Sequence, residues 1–593
     1  MHLQSSYILK PEYLEWQIFF FFFYSNNKTS NKYNKTIDNI PRSSKILDLG
    51  FDVEIRKVDD VIRNTNENFN IQKPTDPNFS FNGLNVQALN IQTPKLFAFS
   101  YAIPEIPVIS TPIVNPYITH LESYNNFSGA NITVLGTNQD IPSGSYNVGS
   151  KNAITTYINY AGQYQAVSDA VITIDRAGQR AITIDNSQSS EFTNNGKIFL
   201  TAENSAGLEI QSGSAGATEI NEVINNGEIH GENDKQAAFI FTDEAQYSKG
   251  LIKFTNAVTG IVELNGEQSS AIVITGSSAY AYIIQGINNG TITLNGIENY
   301  GLALGANGDL DTGSQLLNTG TININNNNSG GISVQSMLDS STLNTGTINI
   351  TGSSSDTSFG IYSEISNELL NEGSININAS ESSIGLRTDA GNLTNGISGV
   401  ISIDDGNNNA GMLAKMNGTV TNHGNILIEN GTNNIGAIID SSVGVNDGTM
   451  KIEGSNSKGV VVTDNGTFTN TGSLTINGDN SYGLLSEIGT INGGTVNMDL
   501  TDKKSVGVYA GNDSTISTDL STINVTGGNI LLEDGGVNFI ATNNGTLNLQ
   551  NLIFETGQTG LSFYTLDNGA INISNSTGTV KGGTSSLERG TAF

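Results

Sequence analysis

The 593-residue chain contains no cysteine. Thiol catalysis is therefore excluded, and a protein exported unfolded through an oxidising compartment benefits from having none. Proline is confined to the front of the chain. All ten prolines lie at or before Pro142, and a stack in which every strand is central would exclude proline, which cannot donate to a strand ladder. Positive charge is scarce, with 26 basic against 56 acidic side chains and a net charge of −30. Residues 1–142 carry −2 of this and the remainder −28. Such a surface repels nucleic acid and anionic membrane, so neither is expected as a partner. The charge reads as a means of keeping a large repetitive surface soluble, with weak cation binding as the lesser reading.

Long apolar runs are also missing. Ile18–Tyr24 (IFFFFFY) is too short to span a bilayer, it follows Glu12 and Glu15 rather than a basic segment, and no A-x-A site follows it. It is not a reliable signal peptide. The Phe19–Phe23 run implies a T-rich codon tract, where slippage or a misplaced start would replace the true leader. Resequencing the tract tests this, and a stable in-frame reading counts against it.

What is abundant is glycine, 67 residues, together with Asn, Ser, Thr and Ile. This is too polar for one large globular core, yet its aliphatic content is too regularly spaced for disorder. The expected organisation is a leader or disordered segment over 1–45 and an N-terminal region over 46–116 with a Pro-rich spacer from Lys73 to Pro116. A cap with first irregular coils follows over 117–190, then a repeat array over 191–593.

The repeat is anchored on the residue before each x-I-x-I strand, from Gly196, Gly227 and Gly260 through Gly494 to Ser521, Gly545 and Gly569. All fifteen residues two places after an anchor are apolar, from Ile198 to Ile571. Fourteen of the fifteen four places after it are apolar too, Gly231 being the exception. Side chains two apart on a strand share a face, so these form one inward row. A second strand follows in each repeat, as in NYGLAL at Gly301, SGGISV at Gly331 and SKGVVV at Gly459, and a third short apolar piece precedes the next anchor. Three strands in about 25 residues make one triangular coil, and stacking buries the face that no coil buries alone. The expected fold is all-β, a right-handed parallel β-helix of about 15 or more coils, roughly 70 Å long at about 4.8 Å per coil.

Asn stands two places before the anchor at Asn194, Asn225, Asn288, Asn318, Asn344, Asn371, Asn422, Asn446, Asn470, Asn492 and Asn543. Stacked amides bond along an axis as a ladder, so this row is expected to be structural.

Catalytic chemistry has little to work with. Among the four histidines only His230 and His423 lie in the array, and no G-x-S-x-G or G-D-S-G surrounds any serine. Pectin-cleaving β-helix enzymes combine a paired Asp with a Gly-His-Gly. Asp404-Asp405-Gly406 followed by Asn422-His423-Gly424 superficially resembles that arrangement, but the two elements fall at different phases of the repeat and do not converge. Gly493-Gly494 and Gly535-Gly536 lack the G-x-D that completes a calcium-binding nonapeptide, and the acidic turn Asp404–Asn409 is a weak metal site at best. Catalytic, cofactor and metal sites are all expected to be absent, and the chain is expected not to be an enzyme.

The pattern N-x-G-[TSK]-I-x-I followed by [SN]-x-G-[ILMV] resembles, over about 400 residues, the passenger repeats of autotransporter (type V secretion) adhesins. The Pro-rich spacer resembles the N-terminal region of large autotransporters carrying an autotransporter-associated N-terminal domain. The resemblance implies export across two membranes, display outside the cell, and attachment to receptors or glycans on host or neighbouring cells. It supplies no catalytic residues. Residues 570–593 carry no signal of the translocator barrel through which such proteins hold to the outer membrane, so a fragment or broken reading frame is expected. The competing expectations are a polysaccharide-active β-helix enzyme, of pectin lyase or hydrolase type, and a passive spacer.

Overall fold

The computed structural model describes residues 132–134, 143–148, 155–158 and, from 164 to 581, all but short segments between strands. The chain divides into 1–105 and 106–593, and every described residue lies in the second unit. The expectations for 1–45 and 46–116, Ile18–Tyr24 included, fall outside the described residues.

The described residues form a right-handed parallel β-solenoid with no helix. Each coil contributes one strand to each of three sheets. Sheet 1 takes the x-I-x-I segments, such as Thr321–Ile324, Thr347–Ile350, Ser374–Asn378 and Val400–Asp404. Sheet 2 takes the glycine-led segments, such as Gly330–Val334, Phe359–Ser363, Ile384–Thr388 and Ala410–Ala414. Sheet 3 takes the short third piece, such as Gln315–Asn318, Thr342–Asn344, Glu368–Asn371 and Asn392–Asn395. Sheet 2 has 17 strands, and the other two, joined by strands that round the corner between them, have 31. The coil number expected from the repeat is met.

Register is carried residue on residue. Ile322 pairs with Ile348, Ile348 with Ile375, Ile375 with Ile401 and Ile401 with Ile426. Alternation on sheet 1 puts Thr, Ser and Asn outside and these isoleucines inside, where they are fully buried. Full burial of an aliphatic side chain contributes roughly 1.5–3 kcal/mol, and the row repeats it in every coil. Fourteen of the fifteen residues two places after an anchor are fully buried; Ile571, in the last strand of its sheet, is only partly so.

The row expected to be single is nevertheless two. Ser521, Gly545 and Gly569 head segments of sheet 3, where Ile523 pairs with Ile491 and Leu547, and Leu547 with Ile571. Gly489–Thr501 and Ser521–Leu532 run from sheet 3 into sheet 1 as continuous strands. Sheet 1 then continues through Ile530 and Phe554. An x-I-x-I alternation looks the same on any sheet, so only the corner identifies which one, and here the N-x-G corner is lost.

Two stacked glycine columns fix the cross-section. At the corner into sheet 1, a Cβ on Gly320, Gly346 or Gly373 would stand 2.1–2.2 Å from the carbonyl oxygen of the glycine one coil below. On sheet 2, a Cβ on Gly331, Gly360 or Gly411 would meet a neighbouring carbonyl at 2.6–2.7 Å and an isoleucine methyl of sheet 1 at 2.7–2.8 Å. The isoleucines thus occupy the space a second side chain would need.

The asparagine ladder is present with altered membership. It runs through Asn194, Asn225, Asn256, Asn288, Asn318, Asn344, Asn371, Asn395, Asn422, Asn446 and Asn470, each Nδ2 donating to the next Oδ1 at 2.6–2.9 Å. Asn470 closes it on the Gly493 carbonyl at 2.8 Å. Asn256 and Asn395 belong although they stand four places before their anchors, because their corners hold two extra residues. Asn492 and Asn543 do not belong. Asn492 accepts from Asn524 in a separate, less buried row, and Asn543 sits in a turn at φ 43°. A second buried polar line lies at the corner between sheets 1 and 2. There the backbone N–H of Gln236, Ser269, Asn299 and Ser329 donates to the side-chain oxygen one coil on, at 2.8–3.2 Å.

Truncating Asn371 orphans the Asn344 amide donor in a water-free position. Asn371→Ala is expected to lower stability by about 1–3 kcal/mol in urea unfolding, whereas Asn376→Ala, in the outer and half-exposed Asn323–Asn349–Asn376 line, should stay within about 0.5 kcal/mol.

Candidate functional site

The paired Asp and the histidine turn do not come together. Asp404 is the exposed last residue of its sheet 1 strand and accepts from Asn430 Nδ2 at 2.8 Å. Asp405 occupies the following corner at φ 59°. His423 lies before the next sheet 1 strand, its Nδ1 2.5 Å from Asp447 Oδ1. Val400 pairs with Asn425 and Asp404 with Glu429, so the two groups sit at opposite ends of the strand, at least about 13 Å apart. Asn422 is a rung of the buried ladder and Gly424 a member of the stacked corner column. The other array histidine, His230, stacks on Phe199 at 5.3 Å and reaches Glu228 at 2.9 Å on the outer face of sheet 1.

No group of three or more His, Asp or Glu side chains able to hold a metal occurs among the described residues. Gly493 and Gly494 lie inside a strand, and Gly535 is outside the described residues. Two carboxylates do meet where sheet 2 turns into sheet 3. Burial and the neighbouring Asp440 push the Asp464 carboxyl up. The repeat search missed this pair, because Asp464 falls at a corner position of variable length.

The feature that sets one face apart is burial. Strands of sheets 1 and 3 alternate between inside and outside, but Tyr300–Leu304, Phe359–Ser363, Ile384–Thr388, Ala410–Ala414 and Tyr482–Ser486 of sheet 2 are buried at every residue. Their outward side chains are largely apolar, Arg387 being the charged exception. Tyr300, Phe359 and Tyr362 form a cluster separate from the coil interior, with ring centroids 5.6–6.0 Å apart. Phe359 lies across Gly330, where a Cβ would meet its ring at 2.2 Å.

Charged groups are embedded in the same face. Arg180 and Glu209 pair at 3.1 Å. Arg387 donates to both oxygens of Asp389 at 3.0–3.2 Å and stands 5.1 Å over the Tyr362 ring. Tyr362 Oη donates to the same carboxylate at 3.0 Å. Lys458 is fully buried, and burial draws its ammonium down to about 7 against the opposing pull of Glu487. The signal for this face was in the sequence. KGVVV, YGLLS and AGMLA are continuous apolar runs, and a strand without alternation is one buried on both sides.

Residues 136–388 are similar to the BigA third pectate lyase-like domain. The matched stretch runs from the first coils to the sheet 2 strand Ile384–Thr388. Comparison with curated proteins and with solved structures gives no match.

Lys458 makes stability depend on pH. The unfolded lysine holds its proton to about pH 10.4, while the folded one releases it near 7. The unfolded state therefore binds more protons between these values, and stability rises with pH across that window. Lys458→Met is expected to flatten this rise and to stabilise the protein at pH 7 by about 1 kcal/mol or more, read from urea unfolding between pH 6.5 and 10.

Proposed function

We infer that the chain is a surface-displayed passenger of the autotransporter type, an adhesive rod in attachment to host or neighbouring cells. The observation that carries this is continuity. The coils similar to the BigA-type domain, which supports a bacterial surface protein of the adhesin kind, run on in the same three sheets to Val580. The outer face of sheet 1 from Thr321 to Asn378 is a row of Thr, Ser and Asn. Such a surface suits extended binding of a receptor or glycan along the stack rather than capture in a pocket. Nucleic acid is not the partner, given a net charge of −30. No enzyme activity is assigned, since Asp404, Asp405 and His423 do not converge.

The pectate lyase-like description of the matched family favours one second reading, a polysaccharide-active enzyme. Beads coated with the full chain should bind cells saturably, in competition with soluble protein. Attachment no better than that of an equally acidic control protein would leave only a spacer role. Release of new sugar ends from acidic glycans, abolished by Asp404→Asn with Asp405→Asn, would replace the adhesin reading with the enzymatic one.

A further inference from the structure

The outer face of sheet 3 carries no charge along the later half of the rod. From Asn392 onward its outward side chains form two registered columns of eight, one running from Asn392 to Ala570 and the other from Thr394 to Asn572. Every member is Thr, Asn, Val or Ala, and every member reaches solvent, Val443 being 43% exposed. Residues 392–572 hold 17 acidic and 5 basic side chains, yet none stands in either column. The acids lie on the rims instead. Asp440 and Asp464 stand where sheet 2 turns into sheet 3, and Asp447 in the corner leading to sheet 1. The outer face of sheet 1 is different, because Lys197, Glu228, Glu263, Asp404, Glu429 and Lys451 interrupt it.

We propose that this face is a docking surface for a second copy of the chain, the two sheet 3 faces packing on each other with their coils in step. Charge selects it. Two chains of net charge −30 repel, and sheet 1 against sheet 1 would set carboxylates against carboxylates, whereas here only the rims oppose contact. Period selects the partner. Each column advances about 4.8 Å per coil, and a second copy repeats at the same step, so a contact made at one coil recurs at the next without mismatch. The chemistry also fits. Asn524, Asn548 and Asn572 each donate from Nδ2 to the Oδ1 one coil before, from Asn492 onward, at 2.8–2.9 Å, so these amides lose less when water is displaced. Registered amide ladders on flat sheets are the surfaces that pair in dry sheet-to-sheet zippers. Eight strands cover about 34 Å along the axis and about 16 Å across. That is on the order of 550 Å² per copy and ~1,100 Å² per pair, the low end of specific interfaces. One pair is therefore weak, and arrays of rods gain by avidity. The partner here is the chain itself, so the inference holds whether or not a rod also grips a receptor.

Sedimentation equilibrium of the purified full chain, carried to several hundred micromolar, should show a reversible dimer. It should tighten between about 0.15 M and about 0.5 M salt as the acidic rims are screened. Thr421→Asp with Thr469→Asp and Thr522→Asp should weaken the dimer at least tenfold. Thr321→Asp with Ser374→Asp and Thr449→Asp, on sheet 1, should leave it within twofold. Mixing the sheet 3 aspartate variant with one carrying Thr421→Lys, Thr469→Lys and Thr522→Lys should restore association. A chain that stays monomeric, a sheet 3 variant that dimerises as the parent does, or an equal loss from the sheet 1 variant overturns the assignment. Loss of attachment to cells by the sheet 3 variant, with no dimer of the parent in solution, gives the face to another partner and overturns it as well. Should the aspartate variant not fold by circular dichroism, single cysteines replace Thr421, Thr469, Thr522 and Thr546 in the cysteine-free chain and are treated with a short bis-maleimide. A crosslinked dimer at one or more of them, absent from Thr347→Cys on sheet 1, supports the proposal. None at any position, or an equal yield at Thr347→Cys, refutes it.

Discussion

The structure depends on axial register. Each coil is too small to bury its own apolar side, so burial exists only where like stands on like in the next coil. The isoleucine rows of sheet 1 are the attractive part of that constraint. The glycine columns are its steric counterpart, since a side chain there would collide with the coil below or with the isoleucines themselves. The buried asparagine ladder adds direction. An amide donating to the next amide satisfies both groups only when the coils keep their spacing, and an interior that excludes water penalises any slip. A parallel stack of this kind tolerates changes in corner length but not in strand register, which is why the repeat length varies while the pairings do not.

The three sheets differ in what they offer to the surroundings. Sheets 1 and 3 present strands that alternate between buried and solvent-facing residues, with Thr and Asn outward on sheet 1 and a mixture such as Gln315 and Leu317 outward on sheet 3. Sheet 2 is buried on both faces, with Tyr300, Phe359 and Tyr362 on its outer side and isoleucine, leucine and valine inside. The charges buried there are paired or carry a displaced proton affinity, Arg387 with Asp389 in the first case and Lys458 in the second. A buried ion pair is weak evidence for stability, because desolvation offsets most of its Coulombic gain.

Most of the solenoid was legible in the sequence, because few folds besides a stacked coil require a period-two alternation that returns at a nearly constant interval. Ile322, Ile348 and Ile375 were placed correctly from spacing alone. What spacing did not reveal was sheet identity where the corner signal vanished, so Ile523 and Leu547 were assigned to the wrong row. The ladder rungs Asn256 and Asn395 were hidden by two-residue insertions in their corners, and Asn492 was included because it kept the spacing while leaving the interior. Phase also sufficed to separate Asp404 from His423. The covered face was written in the continuous apolar runs of sheet 2, yet a run such as KGVVV conveys burial on two sides without naming what lies on the second.

The measurement closest to the central claim is residue-resolved hydrogen exchange on the intact chain. A single registered column predicts strong protection of strand amides in all three sheets from Ile198 to Leu549, with the sheet 2 strands as slow as the interior-facing positions of sheet 1. Fast exchange through Thr321–Ile324 or Ala410–Ala414, or separate blocks opening independently as globular units, would contradict it.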